Sequence, residues 1–433
     1  MGSGELPIGR RMARWRVRRR MSQQVFADRL GKSKSWVDKV ERGVRALDRM
    51  SVIQEVAGVL RIDPAVLLGE DTPAGPAAAP LVAEVDDTRA ALTRYAVFAP
   101  DGVDRPELPA AEVGRQVEHA WLTYQHAGYP QVLRMLPRLL DVTRRLPADG
   151  PTRSALRVQA YRIAASALVK LGDAEGAWLA ADRAVAVAGD DPVLAATAVV
   201  SLGEVLRAAG RGRLAVATTV AAAHRIAPTV PGQGPPDILA VCGSLLLQAA
   251  LAAGRGDPRG VEELIGQATE IAVRLGDGGD HHQLAFGPTV VELARVAAAV
   301  EVGEPAEAVR GHEQVTGQAP WRRLPPEHRA AHLLDVTRAY LDLGDPAGAG
   351  RTLVEADRTA PAEVRCRPVG LTLLARVARD GPAVAGVARL ATLIGLTRKR
   401  PAGGRRGHRT VPCRTAGRHP DGTTQDSECR RTR

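Results

Sequence analysis

The chain has 433 residues, 59 lysines and arginines against 48 aspartates and glutamates, a formal net charge of +11 and 45% hydrophobic residues. That length builds its own cores without cross-links, so the four cysteines, which lack any paired ligand spacing, are expected to be reduced. No stretch approaches the roughly 20 apolar residues of a membrane span, and a cytoplasmic protein is expected.

The first predicted helix, 8–20, carries Met12, Trp15 and an arginine-rich face. Arg10-Arg11 is not followed by an apolar stretch, so an export signal is a poor reading. Ser22 is a good N-cap, with Met21 and Phe26 at hydrophobic-staple spacing, and opens a helix over 23–30. Gly31 suits the C-cap and Ser33 offers a second N-cap, which leaves a turn of about three residues. In the next helix Val37 and Val40 turn inward with Ala27 and Leu30, leaving Lys34, Ser35, Asp38 and Lys39 outside. Only five of the basic residues are lysines, yet Lys32, Lys34 and Lys39 cluster here. A cation in a first helical turn opposes the helix dipole by roughly 0.3–1 kcal/mol, so Lys34 answers another need, such as a phosphate or a guanine edge. A helix at 50–60 and a last turn capped by Asp63-Pro64, holding Val66 and Leu67, complete five helices. Residues 1–62 hold 15 basic and 6 acidic side chains, a balance that calls for a polyanion.

The pattern Ser22-Gln23, Ala27, Leu30-Gly31, Ser33, Val37, Val40 and Glu41-Arg42-Gly43 resembles the helix-turn-helix domain of the phage-repressor and Xre family, without a gap over residues 8–68. The resemblance implies a five-helix lambda-repressor-like DNA-binding domain. It implies base reading by Lys34, Ser35 and Lys39, and phosphate contact by Gln23, with Arg14, Lys32 and Ser33 beside it. It implies a structural ion pair between Arg16 and Glu41. Trp36 is bulkier than the small residue common in the family and is expected either to pack against sugar and backbone or, the favoured reading, to shield the helix pair.

Residues 71–80 are rich in proline and alanine and read as a linker, with one helix around 88–97 before Pro109. From there to about 396 the pattern is helical and repeats. One unit has Leu171-Gly172-Asp173 at the turn, Ala177 and Ala184 at helix crossings and Pro192 as a stop. The next has Leu202-Gly203, Leu206, Ala215, Ala222 and Pro228, and a late one has Tyr340, Leu343-Gly344-Asp345, Ala349, Ala356 and Pro361. Weaker units at 121–146, 238–275 and 290–315 bring the expectation to five to seven hairpins. These resemble tetratricopeptide-type repeats, and the joined pattern is similar to actinobacterial regulators. The fold class is thus all-α: a DNA-binding domain at 1–70, a partly helical linker at 71–109 and a TPR-like α-solenoid at 110–396.

Residues 63–396 hold 33 basic and 39 acidic side chains. A mildly acidic solenoid is a poor wrapper of DNA and a better host for a peptide, a protein or a second copy. Related regulators clamp peptides with asparagine, and this chain has none. No phosphate loop, HExxH or nucleophile elbow is present, so no enzyme and no cofactor are expected. Adjacent His281-His282 near Asp277 and Asp280 are expected in a solvated loop rather than at a metal. The segment 397–433, with 11 basic and 3 acidic residues, reads either as a disordered basic tail or as a shifted reading frame. The expected partners are double-stranded DNA, a second copy in a homodimer, and a peptide or protein on the repeats. The competing class is an interaction scaffold whose helix-turn-helix has become a docking module.

Overall fold

The computed structural model describes residues 8–19, 21–45, 47, 50–60, 67, 79–94, 108–146, 151–229, 233–380 and 385–394. Among them every regular element is a helix. The expected last turn of the head, apart from Leu67, and the whole segment 397–433 with Cys413 and Cys429, lie outside the described residues.

Among the described residues the head has α1 (Ile8–Arg18), α2 (Gln23–Arg29), α3 (Lys34–Glu41) and α4 (Met50–Leu60). Ser22 Oγ accepts from Val25 N–H and Ser33 Oγ from Trp36 N–H, so each serine caps a helix start. Between them Gly31 takes φ +59° and Lys32 N–H closes on the Ala27 carbonyl at 3.0 Å. Met12, Phe26, Ala27, Val37, Val40, Val56, Leu60 and Leu67 form the core. Gly9 permits the close crossing of α1 over the end of α3, since a Cβ there would lie 1.9 Å from the Val40 carbonyl oxygen.

The helix expected at 88–97 is instead α5 (Ala79–Leu92). It packs on the repeats through Leu81, Val85, Ala91 and Leu92, so it is part of their core. Arg89 donates twice to Asp173, at 2.7 and 2.6 Å.

Hairpins follow: α6 (Ala110–Gln125) with α7 (Tyr129–Arg144), α8 (Pro151–Lys170) with α9 (Ala174–Ala188), α10 (Pro192–Ala208) with α11 (Gly212–Ile226) and α12 (Pro236–Ala253) with α13 (Pro258–Leu275). Then come α14 (Pro288–Val302) with α15 (Pro305–Thr316), α16 (Pro326–Asp342) with α17 (Pro346–Thr359), the short α18 (Pro361–Arg365), and α19 (Pro368–Asp380) with α20 (Ala385–Leu393). The first helix of each hairpin packs on the first helix of the next, making an inner layer from α6 through α16.

Two turns show why the repeat is encoded as it is. Gly172 and Gly344 adopt φ +79° and +74°, and Asp173 and Asp345 each cap the next helix by accepting from Gly176 and Gly348 N–H. Small residues at Ala177, Ala184, Ala349 and Ala356 are fully or almost fully buried at the crossings. Leu202-Gly203 departs from that scheme: it lies inside α10, and the turn falls at Ala209–Arg211, where Gly210 has φ +71°. Gly203 is small because Thr219 presses on it, with a Cβ position 2.7 Å from the Thr219 methyl.

The helix α12 is long and apolar enough to cross a membrane by composition, with a mean hydropathy of 1.6, but 61% of it is buried among its neighbours. It needs that composition because helices pack on it from both adjoining hairpins.

The inner layer closes on itself. Helix α16 returns to touch α6, and a buried ionic network joins first hairpins to last. Lys170 Nζ donates to Glu327 and, at 3.1 Å, to Glu363, which also accepts from the Tyr129 hydroxyl and from Arg367. Glu363 is fully buried. Burial pushes the Glu327 carboxyl up, but Lys170 and His328 outweigh it and hold the group well below the usual range.

Candidate nucleic-acid interface

The geometry of the head starts from Arg16, on the inner side of α1. Its Nε donates to Glu41 Oε1 at 2.6 Å, its Nη2 to Glu41 Oε2 at 3.0 Å and its Nη1 to the Met21 carbonyl at 2.7 Å. Glu41, 8% exposed by side chain, is thereby a bidentate partner that ties α3 to α1 and to the entry of α2. Gln23 joins the same group: its Nε2 donates to Glu41 Oε2 at 2.8 Å. One of the two Nε2 hydrogens of Gln23 is thereby spent inside the head.

With α3 fixed from behind, its front is open. Lys32, Ser33, Lys34, Ser35 and Lys39 are exposed. Ser35 and Lys39 are four residues apart and share one helical face. The Ser33 hydroxyl is committed as the cap of α3. Asp38, the acid on that side, is held by Arg42, which neutralises it without consuming a lysine. Trp36 is half-buried against the head core, the shielding position expected of it. Arg11 on α1 and the exposed Arg19 just past its end donate to the Leu67 and Leu60 carbonyls, whereas Arg10 and Arg14 are exposed without such a bond among the described residues. The head sorts its basic residues into those that hold the fold and those that face solvent.

The repeats do the opposite with several charges. Arg162 on α8 is 2% exposed. Its Nη1 donates to Gln159 Oε1 at 2.9 Å and to the His282 carbonyl at 3.0 Å, and its guanidinium lies 5.1 Å from the centre of the Trp121 ring. Burial pulls it down to about 10, which leaves it charged at neutral pH. The His281-His282 segment is half-buried rather than fully solvated, with 278–280 exposed. It joins α13 to α14, Asp280 Oδ2 accepts from Gln125 of α6, and burial followed by Arg162 depresses the His282 imidazole. The cause is long-range: the partners of this loop lie more than a hundred residues upstream. No group of three or more metal-ligating side chains forms among the described residues. Cys242 is buried and pushed up to about 11 by that burial, and Cys366 is half-buried; both are free thiols.

Residues 7–68 match a protein family described as a helix-turn-helix domain. No curated protein matches the chain significantly. Among solved structures the chain is similar to Bacillus thuringiensis PlcR in complex with the peptide PapR7 and DNA, at 14% identity and a TM-score of 0.37, over 76% of this chain and 98% of that one. It is also similar to ComR from Streptococcus suis, at 12% identity and a TM-score of 0.26, over 86% and 94% of the two chains. The N-terminal domain is thus a helix-turn-helix in an all-helical chain.

Proposed function

We propose that this chain is a sequence-specific DNA-binding transcriptional regulator, a binding protein rather than an enzyme. The observation that supports it best is the front of α3, where Lys34, Ser35 and Lys39 are exposed on a helix fixed from behind by Arg16, Glu41 and Gln23. A helix held that rigidly can enter the major groove with its lysines at base edges, while Arg14, Lys32, the Ser33 region and the first N–H groups of α2 meet phosphates. One small head makes too few contacts for a genomic address, so the working unit is a homodimer on half-sites about one helical turn apart. The repeat domain would carry the dimer contact or a peptide or protein ligand that biases it, in the cytoplasm where the DNA is.

The test separates base reading from phosphate contact. Lys34→Ala should flatten the preference among DNA sequences, costing about 1–3 kcal/mol on the best site and little on random DNA. Arg14→Ala should weaken all sequences alike and reduce the salt slope by about one. Equal losses from both variants on every DNA would remove the base-reading role from α3.

A further inference from the structure

Arg162 is a guanidinium without an ion pair. Its two acceptors are neutral oxygens, the Gln159 amide and the His282 carbonyl, and its Nε is buried without a partner. Glu204 and Asp280 act on it through space only, without hydrogen-bonding it: Glu204 Oε2 accepts from Ser166, while Asp280 accepts from Gln125 and from Ala285 N–H. A buried cation of this kind is costly unless a carboxylate completes it. Beside it are the Trp121 ring and the His282 imidazole, which burial and Arg162 depress and whose Nε2 has no hydrogen-bond partner among the described residues and lies 3.9 Å from Asp237 Oδ2.

The segment that supplies the His282 carbonyl is itself held against its preference. His282, Gln283 and Ala285 have φ of +55°, +57° and +48°, three side-chain-bearing residues in the left-handed region within four positions. Such conformations persist only where the surroundings impose them, and they concentrate at ligand clamps and switches. Both feet of the segment are firm. Asp277 accepts from Thr289 N–H and Oγ1, at 3.1 and 2.7 Å, and Phe286 is buried against Gly243, where a Cβ would lie 2.0 Å from the ring. Between these feet, residues 279–285 are joined to the inner layer by polar contacts and by the half-buried Leu284, with no fully buried side chain among them.

We propose that the surroundings of Arg162 form a binding site for a carboxylate-bearing ligand, and that residues 279–285 are a built-in plug whose His282 carbonyl stands where the ligand carboxylate would sit. The site rests on the reading of the repeats as the ligand-binding half of the protein. Its test involves no DNA, so a failure here leaves the DNA-binding reading standing. A carboxylate replaces one neutral acceptor by a bidentate anionic one, which the planar guanidinium is shaped to receive. Displacing the plug releases its backbone strain and changes the contact between Asp280 and Gln125, linking α6 to the ligand.

The experiment uses the full-length chain with residues 279–285 replaced by a Gly/Ser stretch of equal length, leaving Asp277 and Phe286 in place. The probe is the synthetic peptide Gly-Gly-Asp-His-His, the sequence of 278–282, as free acid and as C-terminal amide. The free acid should bind at least about tenfold more tightly than the amide, and Arg162→Gln should abolish that difference. Acetate serves as competitor: displacement at millimolar concentration points to small carboxylic acids, whereas acid-selective peptide binding that acetate does not displace points to a peptide C-terminus. If the replaced chain fails to fold, the wild-type chain answers by hydrogen exchange, where the free acid and not the amide should speed exchange at 279–285. Equal binding of acid and amide, or a preference that survives Arg162→Gln, overturns the proposal; so does exchange at 279–285 that neither peptide alters.

Discussion

The head and the repeats each contain a buried ionic group, and they use it over different distances. Arg16 and Glu41 are 25 residues apart and fix two neighbouring helices of one small domain. Lys170 reaches 157 residues to Glu327 and 193 residues to Glu363, and fixes the beginning of a helical array to its end. The same chemistry therefore orients a reading helix in one region and closes a superstructure in the other. The contrast extends to the unpaired cations. The head turns Lys34 and Lys39 outward, where a polyanion can reach them, while the repeats turn Arg162 inward, where only a small ligand or the chain itself can.

The largest expected effects come from breaking the two buried groups. Glu41→Ala strands Arg16 and frees Gln23, and should cost the head about 3–5 kcal/mol, enough to unfold it. Lys170→Met removes the cation that Glu327 and Glu363 share, leaving Glu327 to His328 and Glu363 to Arg367 and Tyr129, and should cost the repeats somewhat less. Hydrogen exchange on the full chain separates the two: the first variant should expose 8–60 alone, the second α6, α8 and α16. If either variant opens both regions together, the two networks are not independent.

A smaller effect sharpens the picture of the repeats as the region with internal titration. His332 accepts or donates across 3.0 Å to His312 and packs on Trp321. Burial, then His312, depresses its pKa from 6.5 to about 3. The folded chain thus binds fewer protons here than the unfolded one, so this contribution is complete above pH 6.5 and is lost as pH falls toward 3. By pH 5 the loss reaches about 2 kcal/mol, and His332→Leu should remove it. Burial raises Asp335 to about 6 from 3.8, which acts in the opposite sense: its contribution is complete below pH 3.8 and lost as pH rises through 6. The difference between wild type and His332→Leu in melting temperature, followed from pH 7 to 5, isolates the histidine. A difference that stays constant over that range would contradict its depressed pKa.

How far the chain could be read beforehand follows the same division. The helix-turn-helix was legible because its determinants are local: Ser22 and Ser33 as caps, Gly31 at positive φ, and Val37 and Val40 at helical spacing. The all-helical repeat was legible from turns such as Leu171-Gly172-Asp173, again local. What sequence spacing could not give was anything decided at long range. The helix at 79–92 was expected nine residues later, because its determinant is the pairing of Arg89 with Asp173 and its packing on the repeats. Leu202-Gly203 looked like a turn because glycine serves both for turns and for close packing, and only the Thr219 contact tells which. The closure through Lys170 carried one signal, a lysine in a chain with five, but nothing in the sequence pointed to Glu363 as its partner.

The smallest expected effect concerns the face of α3. Asp38 and Arg42 form an exposed pair four residues apart, so Asp38→Ala should change the stability of the head by no more than about 0.5 kcal/mol. It also removes the one acid flanking Lys34 and Lys39 on that helix, and should raise affinity for DNA modestly at low salt. A fall in affinity would mean that Asp38 faces a base or positions a lysine.

The central claim is that the head reads sequence rather than charge. Binding of the full-length chain to DNA from upstream of its own gene, against random DNA of equal length, titrated from low to physiological salt, tests it most directly. A preference of about a thousandfold or more that survives at physiological salt is the predicted result. If both DNAs bind alike and dissociate together as salt rises, the head is a basic surface without an address, and the claim fails.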